Sequence, residues 1–272
     1  MKCNPTYPLL AALFALLLFS CKKDDAASGE PLLLRSQQNF NSTGEMWRQF
    51  EFLYEDGRPV KILSYEDEDN IAGHHFLFHY GPSGRLDSIE WEAITPDYLG
   101  YQHYELRYDS LGRFSAYVME GRPLRASPQV TSAGVLAILY DAFSDIVAAV
   151  DTVYAYGMTP QMSITEWQFN AEGNAAMERK FVYTGDNELL IDRCGEVAYD
   201  DRRSPYPDLF VRMLLDGRLS ENNWITLDEE DCAGGRAELY SREIEYNSSG
   251  YPVRVRSFFE GEYTGETVFE YY

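Results

Sequence analysis

Seven times along this chain an aromatic residue is followed, usually four positions later, by a glycine or a residue that can stand in for one. The segments are Tyr54 to Gly57 (one residue short), Tyr80 to Gly84, Tyr108 to Gly112, Tyr140 to Ser144, Phe169 to Gly173, Tyr183 to Asn187 and Tyr246 to Gly250. Glycine suits a turn position that needs a positive φ, and asparagine is its best substitute. Ser144 matches least well. Two and four positions before each aromatic stand Phe50 and Phe52, Phe76 and Phe78, Tyr104 and Leu106, Leu136 and Ile138, Thr165 and Trp167, Arg179 and Phe181, and Arg242 and Ile244. The residues between are mostly polar, among them Glu51, His79, Glu105, Arg107, Glu166, Lys180 and Glu243. Such period-two alternation marks antiparallel strands buried on one face. A second apolar run follows most of the turns, as in Val60 and Ile62 or Val253 and Val255, so each unit predicts a β-hairpin.

Seven hairpins require about fourteen strands, Thr267 to Tyr271 adds a closing one, and open sheets beyond ~10 strands curl. The predicted fold is all-β: a long antiparallel sheet of repeated hairpins, curled or rolled on itself, with the ring-bearing face inward. One segment departs from the pattern. Pro207 to Asp216, stopped by Gly217, reads as a short helical insert that plugs or caps one end of the roll. The alternation spaces the strands at about six or seven residues. A membrane-spanning strand needs 9–11, which argues against an integral membrane barrel.

The first twenty-five residues carry the address. Lys2 precedes an uncharged apolar run from Leu9 to Phe19, the length of a signal-peptide core and too short for the ~20 residues of a transmembrane helix. Leu18, Phe19, Ser20 and Cys21 then resemble the lipobox of bacterial lipoproteins, with Phe19 larger than the usual residue there. That resemblance implies cleavage before Cys21 and its acylation, with the lipid bilayer as partner; two or three acyl chains suffice for stable anchoring. Lys22, Lys23, Asp24 and Asp25 resemble the surface-export tag of Bacteroidota lipoproteins, implying an outer-membrane protein facing outward, with the periplasmic face as the alternative. The domain reading is a signal peptide over 1–20, the lipidated cysteine and a flexible tether over 21–44, and the hairpin-repeat domain over 45–272. In an exported, oxidising setting Cys194 and Cys232 are candidates for a disulfide; two separate thiols are the alternative.

Charge narrows the partners. The chain has 272 residues and a formal net charge of −21, which opposes nucleic-acid backbones and anionic lipid surfaces. His74, His75 and His79 cluster, but His75 and His79 lie ~13 Å apart on a strand, too far to share one ion, and no metal or cofactor is expected. Glu66 to Asp69 and Asp228 to Asp231 read as solvated acidic loops. There is no nucleophile elbow or phosphate-binding glycine loop.

The hairpin units resemble YD repeats, whose core is matched by Tyr108, Asp109, Gly112 and Arg113. The stretch from Leu209 to Pro252 looks like a family of uncharacterised Bacteroidota lipoproteins. Together these resemblances imply an exported β-rich lipoprotein with no known activity. The expectation is a non-enzymatic binding or scaffold module at the cell envelope that takes a glycan or protein ligand. The alternative is an envelope glycan hydrolase with a carboxylate site, for which no particular pair of acids stands out.

Overall fold

The computed structural model describes residues 32–66, 72–94, 99–123, 132–140, 146–155, 161–170, 174–183, 189–206, 211, 215, 220, 222–230 and 238–272. Sixteen strands run through them. The first eight are β1 (Leu34–Asn41), β2 (Met46–Glu55), β3 (Arg58–Glu66), β4 (Ala72–Tyr80), β5 (Leu86–Ile94), β6 (Leu99–Tyr108), β7 (Phe114–Pro123) and β8 (Ser132–Tyr140). The rest are β9 (Ile146–Ala155), β10 (Gln161–Phe169), β11 (Ala175–Tyr183), β12 (Leu189–Arg203), β13 (Asn222–Glu230), β14 (Glu238–Tyr246), β15 (Pro252–Phe259) and β16 (Glu262–Tyr271). Each strand pairs antiparallel with its neighbour in sequence, and β16 returns to pair with β1. The sheet closes into a barrel, so no edge is left to aggregate.

Three expectations change. The strands are 8 to 15 residues long, not six or seven. Their polar halves extend past the apolar alternation that revealed them, so strand length no longer argues against a membrane barrel. The expected tether is shortened, because β1 lies within 21–44 and the folded unit begins at Leu32. Asp228, Glu229 and Glu230 belong to β13 and are not a loop; Asp231, and Asp67 to Asp69 of the other acidic run, lie outside the described residues.

The inner face is packed with the aromatics and aliphatics of the alternation. Phe52, Ile62, Phe78 and Ile89 are all at most 5% exposed and share one cluster with Phe50, Phe76 and Leu106. Each such side chain is worth ~1.5–3 kcal/mol over leaving it in water. A circular barrel of sixteen strands would leave an aqueous channel. Here the connection between β12 and β13 enters the lumen. Tyr206 and Val211 belong to the same cluster as Leu34, Val255 and Phe269, and Leu215 packs against it. Val211 and Leu215 have helical backbone; the other residues of the expected insert lie outside the described set.

Because sixteen is even, the chain enters and leaves at the same end. The amide of Tyr272 donates to the Leu33 carbonyl at 3.0 Å. The turns at 56–57, 81–85, 109–113 and 247–251, and the points where β12 ends and β13 begins, lie at that end too.

Candidate functional site

The turn units build one end of the barrel, and their geometry explains the repeat. In the turn after Tyr108, the Asp109 amide donates to the Arg113 carbonyl at 2.9 Å and the Gly112 amide to the Asp109 carbonyl at 3.0 Å. The Asp109 carboxylate accepts from the amides of Leu111 and Arg113. Asn247 does the same for Ser249 and Tyr251. Gly112 has φ 83°, the left-handed conformation that only glycine adopts without cost. Tyr80, Tyr108 and Tyr271 then each tie one hairpin to an earlier strand. Tyr80 Oη donates to the Pro59 carbonyl at 2.9 Å, Tyr108 Oη to Leu86 at 2.7 Å, and Tyr271 Oη to Pro252 at 2.7 Å. The arginine after each of the first three turn glycines reaches across to the next tyrosine: Arg58 over Tyr80, Arg85 over Tyr108, and Arg113 over Tyr140 at 4.0 Å from the ring centre. Of these pairs the sequence reading singles out only Gly112 with Arg113; Gly57 with Arg58 and Gly84 with Arg85 repeat it. Gly173, Asn187 and Ser144 lie outside the described residues.

Ladder partners share a face, so the registers sort every described position as inner or outer. The outer face of most strands is charged. Arg256 faces Glu243, Glu245 and Glu266 at 3.3–3.8 Å, His75 meets Glu92 at 2.7 Å, and His79 lies 3.6 Å from Glu90. Glu51, Lys61, Glu105 and Arg107 lie on the same face. His74 is on the inner face, 3.1 Å from Glu66 and stacked on Trp91, apart from His75 and His79. One outer sector differs. On β8 to β10 it presents Val135, Ala137, Leu139, Val150, Met162 and Ile164, with Val135 and Leu139 40% and 47% exposed.

In that sector several polar groups turn inward. Asp151 opposes Leu136 and Ser163, and its field reaches the inner tyrosines Tyr104 and Tyr117. Burial pushes its carboxyl above the ordinary carboxylate range, against the opposing pull of Lys180. Trp167 Nε1 donates to Glu178 at 3.1 Å. This overturns the expectation for β11. Phe181 pairs with outward Ile164 and Lys180 with inward Thr165, which places Phe181 and Tyr183 on the outer face. A lone buried carboxylate at Asp151 needs a cation beside it, and Lys180 rather than the ring is drawn inside.

The lumen also holds a pocket of about 240 Å³ walled by β1, β2 and β14 to β16 and by the inserted connection. Phe50, Phe269, Ile244 and Leu215 supply its apolar walls. Tyr206 Oη donates to Gln37 Oε1 at 2.7 Å, Gln37 Nε2 to Asn39 Oδ1 at 3.0 Å, and Thr267 Oγ1 to the same Asn39 Oδ1 at 3.0 Å. Two guanidiniums line it. Arg48 is held by Glu66 at 2.8 Å and lies over the Trp47 and Phe50 rings. Arg242 sits 3.5 Å from the Trp224 ring centre. Gln37 and Thr267 stand 230 positions apart in the chain, and no local motif joins the pocket residues.

Cys194 is disulfide-bonded; Cys232, its expected partner, and Cys21 lie outside the described residues. Among the described residues no three His, Cys, Asp or Glu side chains gather as a metal-binding set, and no helix is long and apolar enough to cross a membrane.

No family model matches the chain, and no curated protein does. Among solved structures it is similar to a porin-like protein from Bacteroides vulgatus, at 9% identity and a TM-score of 0.59. That match covers 89% of this chain and 99% of the other. A porin-like protein from Bacteroides uniformis matches at 10% identity and a TM-score of 0.40, over 89% and 98%. The first likeness is one of fold, a closed antiparallel barrel of comparable length.

Proposed function

We propose that the chain is a non-enzymatic, lipid-anchored binding module of the bacterial outer membrane, with its barrel held outside the bilayer. The observation that carries this reading is the outer face. A membrane-spanning barrel needs an apolar belt around its whole circumference, and each Arg or Lys on the lipid face at mid-depth costs ~2–4 kcal/mol. This barrel places Glu51, Lys61, Glu105, Arg107, Glu243 and Arg256 on its outer face and keeps Phe50, Phe52, Phe76 and Phe78 inside. Attachment is then left to the lipobox-like run at Cys21. The folded unit begins at Leu32, so an anchor at Cys21 acts through the stretch of chain before β1. The likeness to a porin-like protein of Bacteroides agrees with an envelope address in a related bacterium. A lumen that holds Tyr206, Val211 and Leu215 suits binding better than conduction, and the donor-lined pocket is the place a ligand would occupy. Expression of residues 22–272 tests the reading. A folded barrel that stays in solution without detergent is expected, whereas a chain that partitions into membranes or needs detergent to remain folded contradicts it.

A further inference from the structure

We infer that the luminal pocket binds a small organic anion, a carboxylate carried on an apolar or aromatic body, clasped by Arg48 and Arg242; this rests on the binding-module reading above. The hydrogen-bond accounting of the pocket decides the ligand's sign. The two amide oxygens of the Gln37–Asn39 pair are engaged inside the protein: Gln37 Oε1 takes the Tyr206 hydroxyl, and Asn39 Oδ1 takes both Gln37 and Thr267. What that pair offers the cavity is mainly donors. The Asn39 amide nitrogen keeps both hydrogens, and Gln37 keeps one of its two. Arg48 Nε is buried with no hydrogen-bond partner. A buried donor left unmade costs ~1–3 kcal/mol, so this arrangement invites an acceptor. A planar carboxylate suits guanidinium donors, which a neutral amide satisfies far less well.

The walls set the rest of the ligand. Phe50, Phe269 and Ile244 line the cavity, so the body of the ligand is apolar. At about 240 Å³ the space falls below the ~300–1,000 Å³ of drug-sized sites and fits one ring or a short chain. Glu66 neutralises one edge of Arg48. The long-range field of a chain at −21 repels anions, so recognition depends on contact inside the lumen. Trp47 and Arg48 lie near the start of β2, at the opposite end of the barrel from Leu34 and Tyr271.

Calorimetry and thermal shift on the full chain in lipid nanodiscs test this, with benzoate, phenylacetate and hexanoate as probes, each against its neutral amide. The expected result is saturable binding of at least one carboxylate, with its amide at least tenfold weaker. Arg242→Gln and Asn39→Asp should each weaken that carboxylate at least tenfold while the circular dichroism spectrum is unchanged. Asn39→Asp is the gentler change and carries the test if Arg242→Gln does not fold. Absence of binding by all three carboxylates, equal binding of acid and amide, or unaltered affinity in the folded variants overturns the inference. If residues 22–272 stay soluble without detergent, any of these failures leaves the binding-module reading in place.

Discussion

Two walls of the same barrel solve the sheet's packing problem in opposite ways. From β2 to β8 most rings point inward and most charges outward, the Arg48–Glu66 pair excepted, and each hairpin is tied to the next through a tyrosine hydroxyl and an arginine laid over its ring. From β8 to β11 the outer face is largely aliphatic, while Asp151, Lys180 and Glu178 are on the inside. The first wall can be copied hairpin by hairpin, because every contact runs between one unit and the next. The second depends on a charge pair brought together by the β9–β10–β11 ladder, so its side-chain directions are set by neighbours and not by its own alternation.

The largest expected effect separates the two walls directly. Phe52→Ala removes a side chain 1% exposed and should cost ~3–5 kcal/mol of unfolding free energy, whereas Phe181→Ala on the outer face should cost ~0.5 kcal/mol. Similar losses at both sites, measured by urea denaturation, would mean that β11 is not inverted. Next come the glycines. Gly57→Ala and Gly112→Ala both place a side chain at positive φ, at ~1–2 kcal/mol each. A Cβ at Gly112 would stand 3.0 Å from the Arg85 guanidinium, while nothing lies within 4 Å at Gly57. Gly112→Ala should therefore lose ~0.5–1 kcal/mol more as Arg85 leaves the Tyr108 ring. A smaller change, Tyr108→Phe, deletes one hydroxyl bond and should cost ~1 kcal/mol at most.

Acidity probes the second wall. The fold raises the Asp151 pKa, so this residue favours the native state below the ordinary carboxylate value, and the contribution is lost as pH rises through the raised value. The advantage of Asp151→Asn over the wild type should therefore be larger at about pH 7 than below about pH 3.5. A difference that shrinks with rising pH, in denaturation curves at both ends, would mean that Lys180 dominates burial.

The alternation of Phe50, Phe52 and Tyr54 and its counterparts made the antiparallel hairpins and the inward rings of β2, β4, β6 and β8 legible, because there the local pattern and the packing agree. The same pattern misled at Phe181, where a ladder partner overrules it. Strand length was hidden because the inner face also carries Gln37, Asn39 and Ser163, polar residues outside the apolar alternation that have a polar stretch of the lumen to face. The pocket was invisible for a different reason: its donors come from both ends of the chain and meet only when β1 closes on β16.

The central claim is that the charged outer wall lies in water. Single cysteines placed at Glu51, Lys61, Glu105, Glu243 and Glu266, spread around the barrel, can be reacted with a water-soluble maleimide on the protein in its native membrane. The account predicts that all five label at rates typical of exposed thiols, whether or not detergent is added. A set of positions at one height that stay protected until detergent is added would contradict it.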